Sequence, residues 1–345
     1  MTPTKAYAAN NPAAALQPLN IERREPGPKD VEIEIAYCGI CHSDIHMARN
    51  EWGFTQYPVV PGHEIAGRVT RVGAKVKRFK AGDTVGVGCM VNSCRNCPPC
   101  KAGLEQHCER GMIMTYSSKD LDGTLTYGGY SQRVVVDEGF VLKVAPKQPL
   151  ERVAPLLCAG ITTYSPLKRF GVRKGSRLGV MGLGGLGHMA VKIGAAMGAE
   201  VTVLSHSPSK RADAKRLGAH EFALTSDAAQ ARKLAGRFDV IIDTVSADHD
   251  INAAIGWLKV EGKVVLVGAS PKPLSVNAFG LLARKAVAGS LIGGIAETQE
   301  MLDFCARRKV FSDVEVVPIQ KVNEAYERTI RGDVRYRFVI DLKSL

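Results

Sequence analysis

Residues 177–198 read RLGVMGLGGLGHMAVKIGAAMG, in which a short apolar run leads into a glycine-rich turn and then into apolar residues at helical spacing. The turn, Gly182-Leu183-Gly184-Gly185-Leu186-Gly187, has the pattern G-x-G-x-x-G. Glycines there permit a tight bend and let backbone N–H groups at the helix start approach a pyrophosphate. A glycine-rich contact between helix and sheet is the alternative, but the strand before the turn and the helix after it favour a dinucleotide site.

The regions on either side of this turn differ in their patterns. From residue 177 to about residue 291, apolar runs alternate with helical stretches, which predicts a doubly wound sheet of parallel strands with crossover helices. Residues 31–144 instead contain short alternating strands broken by glycine and proline, which is typical of a mostly antiparallel β domain. The predicted strands lie at residues 31–35, 66–69, 84–87, 131–136, 178–181, 201–204, 240–242 and 264–267.

The last segment, from about residue 293, is predicted to form helices at 297–309 and 321–331 and strands at 314–318 and 338–341. This pattern allows two arrangements, because the segment could extend the parallel sheet or return to the first domain. A length of 345 residues favours two domains, since single cores usually stop growing below that size. The expected fold class is therefore α/β.

Composition narrows the function classes. The formal net charge is +12, but lysine and arginine form no run of five or more, so nucleic-acid binding is not expected. The most apolar window, residues 178–199, contains His188, Lys192 and seven glycines, so we expect no membrane span. Residues 1–15 lack the pattern of a secretory signal, which favours a cytoplasmic location. Nine cysteines in such a chain indicate metal binding before disulfides.

Four closely spaced cysteines form the pattern C-x-x-C-x-x-C-x(7)-C. Their thiolates can converge on one tetrahedral zinc ion, and a closed shell of four sulfurs leaves no position for a substrate, so the site is predicted to be structural. An iron–sulfur cluster also takes four cysteines, but its bacterial ferredoxin pattern ends in Cys-Pro, whereas Glu109 follows the last cysteine here. The four residues are Cys94, Cys97, Cys100 and Cys108.

A second candidate metal site combines Gly62-His63-Glu64 with the upstream run Cys41-His42-Ser43-Asp44-Ile45-His46. A lone histidine is more often a hydrogen-bonded core residue than a ligand, but the acidic neighbour and the nearby Cys/His cluster favour metal binding. A catalytic zinc needs three protein ligands and one exchangeable position. The spacing does not decide which cysteines join the histidine, and the candidates are Cys38, Cys41, Cys89, Cys158 and Cys305.

Nearly the whole chain resembles the medium-chain zinc alcohol dehydrogenases, and specifically the cinnamyl-alcohol-dehydrogenase-like branch of NADP-dependent aldehyde reductases. The resemblance implies a GroES-like, mostly-β catalytic domain at residues 1–153, to which residues 293–345 return, and a Rossmann NADP-binding domain at 154–292. Five motifs carry it in the family's order: Gly39-Ile40-Cys41-His42-Ser43-Asp44, Pro61-Gly62-His63-Glu64, the four-cysteine loop, Leu157-Cys158-Ala159-Gly160-Ile161-Thr162-Thr163-Tyr164, and the glycine turn at 182–187.

The resemblance also implies the ligands of the catalytic zinc. Cys41, His63 and Cys158 are expected to bind it, with Glu64 beside them as a carboxylate that can approach the metal. Zinc would make a bound alcohol lose its proton more easily and would polarise an aldehyde for hydride attack. The three other cysteines outside the four-cysteine loop are then expected to be small, buried apolar residues.

A proton relay is expected next to this zinc. Ser43 would hydrogen-bond the substrate oxygen and pass its proton onward, and His46 would exchange that proton with water. In the family this relay runs through the ribose of the cofactor. Capping of the following helix is the alternative role of Ser43 and Asp44.

The loop after the predicted strand at 201–204 indicates the type of cofactor. An NAD-specific site would place an acidic residue there to bind the ribose hydroxyls, but this chain has Ser205-His206-Ser207-Pro208-Ser209-Lys210-Arg211. In the family branch, serines and a lysine hold the 2′-phosphate of NADP, which implies that Ser205, Ser207 and Lys210 do so here. His206 and Pro208 depart from the serines common in the plant enzymes, and Ser207-Pro208 also has the pattern of a helix start.

The resemblance further implies a homodimer, joined through sheet edges near residues 286–292, and aldehyde or alcohol substrates. Trp52, Tyr57, Met90 and Ile292 are candidates for an apolar substrate pocket. Two other functions remain open: a zinc-free quinone reductase of the same superfamily, which should lack both zinc motifs, and a non-catalytic zinc-binding protein, which should hold one zinc per chain. The remaining expected cofactor contacts are His42, Thr162, Gly182, Leu183, Gly184, Gly185, Leu186, Gly187, His206, Thr244, Gly268, Ser290, Leu291 and Ile292.

Overall fold

The computed structural model describes residues 1–270 and 272–345. The chain divides into a first unit, Met1–Cys158 with Gly293–Leu345, and a second unit, Ala159–Ile292. The sequence placed the boundary after residue 153, whereas the division follows residue 158. The reason is the 3-10 turn Ala154–Leu157, whose four residues are all buried. The side chain of Leu157 lies so close to Gly86 of the first unit that a Cβ there would approach it to 2.9 Å.

The secondary structure alternates short strands and helices along the chain. In the described residues the strands are β1 (Thr2–Ala8), β2 (Gln17–Arg23), β3 (Asp30–Gly39), β4 (Ile65–Val72), β5 (Thr84–Val87), β6 (Met90–Asn92), β7 (Ile113–Met114), β8 (Arg133–Asp137), β9 (Leu142–Lys143), β10 (Arg177–Met181), β11 (Glu200–Ser205), β12 (Glu221–Leu224), β13 (Phe238–Asp243), β14 (Leu258–Leu266), β15 (Ala286–Gly289), β16 (Val314–Pro318) and β17 (Arg337–Asp341). The α-helices are α1 (His42–Ala48), α2 (Pro98–Lys101), α3 (Leu150–Val153), α4 (Ala159–Arg169), α5 (Gly187–Ala196), α6 (Arg211–Arg216), α7 (Ala228–Arg232), α8 (Ile251–Trp257), α9 (Ala278–Leu281), α10 (Ile295–Arg308) and α11 (Val322–Ile330).

The first unit is built around a seven-stranded sheet with the order β16-β17-β3-β4-β5-β9, in which β8 also pairs with β3. The alternate apolar residues Val31, Ile33 and Ile35 of β3 are buried in the core, and Glu32 between them is also buried. β3 and β4 are antiparallel, and Cys38 near the end of β3 pairs with Ile65 at the start of β4. The segments just beyond these two strand ends are therefore neighbours in space.

The second unit is a six-stranded parallel sheet with the order β12-β11-β10-β13-β14-β15. This order reverses between β10 and β13, as in the doubly wound dinucleotide-binding fold, and the carboxyl ends of all six strands lie on one edge. Phe238, Ile241 and Trp257 belong to the apolar core on this sheet. The predicted fold class, a mostly-β unit with a doubly wound unit, is confirmed.

The C-terminal segment joins the sheet of the first unit. Its two helices and two strands lie within one or two residues of the predicted bounds, as α10, β16, α11 and β17. β17 pairs antiparallel with β3, with Val339 opposite Gly39, and β16 pairs parallel with β17. Among the residues described, no helix is long and apolar enough to cross a membrane.

Candidate active site and metal centres

The four-cysteine loop brings its four sulfur atoms together. The Sγ atoms of Cys94, Cys97, Cys100 and Cys108 all lie within 4.8 Å of one another. Cys94 and Cys100 Sγ are 3.9 Å apart, close to the roughly 3.8 Å expected between two sulfurs of a tetrahedral zinc site with Zn–S bonds of about 2.3 Å. The loop therefore has the donor set and the spacing of a closed zinc site.

Backbone N–H groups in this loop donate hydrogen bonds that stabilise the cysteine thiolates. The Sγ of Cys94 accepts a hydrogen bond from the backbone of Cys97, and that of Cys108 accepts one from the backbone of Cys94, each at 3.4 Å. Backbone hydrogen bonds from Asn96 and Cys97 lower the pKa of the Cys94 thiol to about 6, whereas burial raises that of Cys100 to about 12. A cation is needed for all four sulfurs to ionise together.

The second centre joins four buried side chains of the first unit, Cys41, His63, Glu64 and Cys158, whose ligand atoms lie within 4.8 Å of one another. Cys41 directly precedes α1 after the end of β3, His63 and Glu64 directly precede β4, and Cys158 follows the turn that packs on the same unit. The Sγ atoms of Cys41 and Cys158 are 4.0 Å apart. This geometry fits a tetrahedral metal with thiolate and imidazole ligands.

The two thiols of this centre differ in how easily they ionise. The hydrogen bond between them lowers the pKa of Cys41 and raises that of Cys158. The Oε2 atom of Glu64 is buried with no hydrogen-bond partner, which fits a carboxylate that faces a metal ion. Gly39 leaves the room for this carboxylate, since a Cβ there would lie 1.8 Å from Oε2.

Asp44 organises the ligands from a fully buried position. Its Oδ1 lies 3.0 Å from Nδ1 of His63 and accepts a hydrogen bond from the backbone of Gly62 at 3.0 Å. Its Oδ2 accepts from the backbone of Cys41 at 2.9 Å and from the hydroxyl of Tyr130 at 3.3 Å. The carboxylate thus orients the histidine so that Nε2 is left for a metal. Asp44 has the predicted capping role, and the same carboxylate also orients the ligand His63.

Arg337 is the partner of Glu64. The guanidinium Nη2 donates to Oε1 of Glu64, and both side chains are almost completely buried. Burial raises the pKa of Glu64 to about 8, although the charge of Arg337 opposes this shift. Sequence reasoning missed Arg337, and its only signal was a cationic residue directly before the apolar run of the strand RFVID.

The predicted relay residues lie on α1. Ser43 Oγ is 3.7 Å from Cys41 Sγ, and His46 is three residues further along the same helix, so the two side chains share a helix face. His46 Nδ1 pairs with the carboxylate of Glu51, a partner that the sequence did not indicate. His46 also packs on Trp52, with ring centroids 5.2 Å apart.

The remaining candidates in the first unit differ in how far their side chains are exposed. Trp52 is 42% exposed and stacks on Phe54, whereas Met90 is buried in β6. Tyr57 is partly buried, and its hydroxyl donates to the carbonyl of Ala48. His42 lies in the first turn of α1 beside Cys41, and burial lowers its pKa. Trp52 is thus the candidate that presents an aromatic face to solvent.

One expectation for the other cysteines is wrong. Cys38 and Cys305 are buried thiols whose pKa burial raises, as predicted. Cys89 is partly exposed, and a hydrogen bond from Cys158 lowers its pKa. It lies beside the metal-binding group because it follows β5, which packs on the turn that carries Cys158.

The glycine turn of the second unit connects β10 to α5. Gly182 has φ of +83°, and a Cβ there would lie 2.8 Å from Oγ1 of Thr244. A Cβ on Gly187 would lie 2.2 Å from the carbonyl oxygen of Gly182, whereas Gly184 faces open space. The turn therefore packs tightly on the sheet and leaves its middle accessible to a pyrophosphate.

The loop after β11 begins at Ser205, and no carboxylate occurs before Asp213. Ser207 is the N-cap residue of the 3-10 turn Pro208–Lys210, as the Ser-Pro pattern predicts, but its side chain makes no capping hydrogen bond. Its Oγ lies instead 2.9 Å from that of Ser209. The hydroxyls and the following cations are compatible with a bound phosphate group.

The other expected cofactor contacts are distributed over the second unit. Thr244, Gly268 and Ser290 follow β13, β14 and β15, so they lie on the sheet edge that also carries the glycine turn. Leu291 and Ile292 continue from Ser290, and Ile292 has φ of 37°. Thr162 is buried in α4.

Comparison with known proteins agrees with both units. Residues 27–146 match the family model of the alcohol dehydrogenase GroES-like domain, and residues 185–307 match that of the zinc-binding dehydrogenases. The chain is 55% identical to NADP-dependent alcohol dehydrogenase C 1 of Mycolicibacterium smegmatis, over 100% of this chain and 99% of that protein. It is 54% identical to cinnamyl alcohol dehydrogenase 2 of Rauvolfia serpentina, over 99% and 96% of the two chains.

Solved structures give the same result. A cinnamyl alcohol dehydrogenase of Sorghum bicolor superposes with a TM-score of 0.96 at 47% identity, over 99% of this chain and 98% of that one. The CAD of Helicobacter pylori, complexed with NADP(H), superposes with a TM-score of 0.93 at 43% identity, over 99% of both chains. The chain belongs to the zinc-dependent medium-chain alcohol dehydrogenases, in their cinnamyl-alcohol-dehydrogenase-like branch.

Proposed function

We propose that this chain is an NADP-dependent zinc alcohol dehydrogenase that transfers hydride between NADP(H) and aldehydes or primary alcohols. The observation that carries the proposal is the convergence of Cys41, His63, Glu64 and Cys158 in one buried group. A second group of four cysteines accounts for a structural zinc, so we propose two zinc ions per chain. The relatives named above support both the reaction class and the cofactor.

The ligands would hold the catalytic zinc as two thiolates and a neutral imidazole. Asp44 keeps a proton on Nδ1 of His63 and thereby leaves Nε2 for the metal. When bound, zinc supplies a Lewis acid that polarises the substrate oxygen, and NADPH supplies the hydride. Glu64, which pairs with Arg337, would approach the metal when the ligand at the exchangeable position is replaced.

Proton transfer would run along α1. The Ser43 hydroxyl would donate a hydrogen bond to the substrate oxygen and exchange its proton with that oxygen. The Glu51 carboxylate accepts from Nδ1 of His46, which leaves Nε2 of this partly exposed ring to exchange a proton with water. The shared helix face of Ser43 and His46 supports this assignment.

The cofactor would bind at the sheet edge of the second unit. Its pyrophosphate would lie against the glycine turn at residues 182–187, and its 2′-phosphate would meet Ser205, Ser207 and Lys210. The run of twelve residues after Glu200 contains no carboxylate to repel that phosphate. The remaining expected contacts on this sheet edge and in α4, together with His42, are proposed to line the rest of the cofactor.

The two units would divide these tasks, with the first as the catalytic domain and the second as the NADP-binding domain. We further propose a homodimer formed through β15, because it is an edge strand of its sheet and the nearby Phe279 and Leu282 are 83% and 73% exposed. Nine cysteines that form no disulfide support a reducing, cytoplasmic location.

Aromatic aldehydes are the proposed preferred substrates, within a broad range. The exposed rings of Trp52 and Phe54 lie beside His46 in the first unit and could stack on an aromatic substrate. Relatives named cinnamyl alcohol dehydrogenase and 8-hydroxygeraniol dehydrogenase, each 54% identical, support aromatic and medium-chain substrates.

The test combines metal counting with kinetics. We expect two zinc ions per chain by elemental analysis and oxidation of NADPH, monitored by absorbance, in the presence of cinnamaldehyde, benzaldehyde or hexanal. Cys158→Ala should remove one zinc and all turnover, whereas Cys305→Ala, the matched control, should keep both. A wild-type chain with one zinc and no NADPH oxidation would favour a non-catalytic zinc-binding protein, and turnover of quinones alone would favour a quinone reductase.

A further inference from the structure

Asp243 ends β13 at the point where the strand order of the second unit reverses, the usual position of a dinucleotide crevice. Its side chain is 1% exposed. Its Oδ1 accepts a hydrogen bond from the backbone of Val245 at 3.0 Å. Its carbonyl oxygen accepts from the backbones of Val267 and Gly268 at 3.0 and 3.1 Å. This one residue therefore connects the loops after β13 and β14, two loops at the edge that would bind the cofactor.

His249 lies in the loop that follows Asp243, and its side chain contacts Asp243 across this loop. Its Nε2 lies 2.7 Å from Oδ2 of Asp243, and its Nδ1 lies 2.9 Å from the carbonyl oxygen of Ala247. Both ring nitrogens thus face acceptors, and a neutral imidazole has a proton on one nitrogen only. Because the Asp243 side chain also accepts the backbone hydrogen bond of Val245, a doubly protonated His249 satisfies both contacts of the ring with the Asp243 carboxylate ionised.

The loop held in this way forms the support of the glycine turn. A Cβ on Gly182 would lie 2.8 Å from Oγ1 of Thr244, and a Cβ on Gly268 would lie 2.6 Å from the carbonyl oxygen of Val245. Thr244 Oγ1 also donates to the carbonyl of Met181 at 2.7 Å. Movement of this loop would therefore displace the two neighbouring backbone segments, at Gly182 and at Gly268, that would face the cofactor.

We propose that His249, held as an imidazolium between the Asp243 carboxylate and the Ala247 carbonyl, is a positioning residue for the dinucleotide site, and that loss of its proton weakens NADP(H) binding. The inference rests on the proposed dinucleotide site. Without the proton, a nitrogen lone pair faces the carboxylate at 2.7 Å, and the loop between β13 and α8 loses its closing contact. Affinity is then high at low pH and falls as the pH rises.

The charges around His249 favour its protonated form. Partial burial would lower the pKa of His249, but the hydrogen bond to a backbone carbonyl and the charges of Asp243 and Asp248 raise it above its usual value. Asp248 is itself paired with Lys272 at 3.5 Å, and Asp250 uses its carboxylate to cap α8. Asp243 is thus the carboxylate that contacts His249 directly, and it favours the protonated ring together with the Ala247 carbonyl.

The test measures the Kd of NADPH for the zinc-loaded enzyme by fluorescence titration from about pH 7 to 9.5, where the phosphates of the cofactor are already ionised. We expect the wild-type Kd to rise on the order of tenfold, as for the loss of one charge-assisted hydrogen bond. His249→Gln should bind at every pH as weakly as the wild type does at the highest pH. Asp248→Asn, the matched control on the same loop, should stay within about twofold of the wild type.

A second variant distinguishes a positioning role from a merely structural one. In Asp243→Asn the side-chain amide can donate to a neutral His249, so the contact forms without the extra proton. We expect this variant to keep tight NADPH binding across the whole pH range, and the imidazole proton resonances of wild-type His249 to report a pKa above the usual value. Equal Kd values and equal pH profiles for His249→Gln and the wild type would overturn the inference. A wild-type chain that binds no NADPH at any pH would overturn the proposed function itself.

Discussion

Removal of the Arg337 guanidinium should strongly destabilise the first unit. Arg337 and Glu64 have side chains that are 6% and 0% exposed, so Arg337→Met would leave a carboxylate in the interior without its partner. Breaking a buried ion pair from one side costs about 3 to 5 kcal/mol. We expect a value near the lower limit, about 3 kcal/mol, because the carboxyl group can escape part of the cost by taking up a proton.

The pH dependence follows from the direction of this proton uptake. Burial already raises the pKa of Glu64 to about 8, and loss of Arg337 raises it further. A carboxyl group whose pKa is raised in the folded state stabilises the fold below its unfolded pKa, about 4, and this contribution is lost as the pH rises. Both proteins then lose this contribution in parallel from about pH 4 to pH 8, and the difference between wild type and variant should widen above about pH 8, where Glu64 ionises in the folded wild type but stays protonated in the variant.

The assay is urea-induced unfolding of the first unit, followed by the signal of its buried tyrosines, with zinc content measured in parallel. Arg49→Met is the matched control, because Arg49 and its partner Glu327 have side chains that are 41% and 55% exposed, and such a pair contributes at most about 1 kcal/mol. The double variant Glu64→Gln with Arg337→Met should recover most of the lost stability. Equal destabilisation by Arg49→Met and Arg337→Met, or no recovery in the double variant, would refute the reasoning.

Three further outcomes follow from the geometry. Asp44→Asn should lower the zinc affinity of the catalytic site about 10- to 100-fold, measured by competition with a chelator, because the amide orients His63 less firmly; an unchanged affinity would contradict the role of Asp44. Lys210→Ala should raise the KM for NADPH roughly tenfold or more, the loss of one charge-assisted hydrogen bond, and leave that for NADH unchanged. Phe279→Asp should convert a dimer to a monomer in sedimentation experiments, and a monomeric wild type would remove the basis for the dimer.

The sequence predicted what depends on local spacing. The sulfurs of the four-cysteine loop converge because fifteen consecutive residues contain all four ligands, so coordination chemistry alone identifies the site. The glycine turn is local in the same sense, since its strand, turn and helix are continuous. Both predictions needed no knowledge of which strands pair.

The catalytic ligands depend on pairing that spacing does not reveal. Cys38 is three residues from Cys41, yet its Sγ lies inside the core. A Cβ added at Gly62 or at Gly129 would lie only 2.7 or 2.8 Å from this sulfur. Cys41 lies just beyond the strand end, where the antiparallel β3–β4 pair brings it to His63. Local reasoning could not separate these two thiols, and the family resemblance was needed for the choice.

Arg337 shows why the charge balance of the site was also hidden. Two ionised thiolates and the Glu64 carboxylate carry three negative charges, and a bound zinc ion would supply two positive ones. Arg337 supplies the third from the C-terminal segment, 273 residues away along the chain. Asp44 adds a fourth negative charge, but backbone N–H groups, a tyrosine hydroxyl and His63 satisfy its carboxylate. The return of β17 to β3 is therefore part of the chemistry of the metal centre, because without it the buried ligands would keep an uncompensated charge.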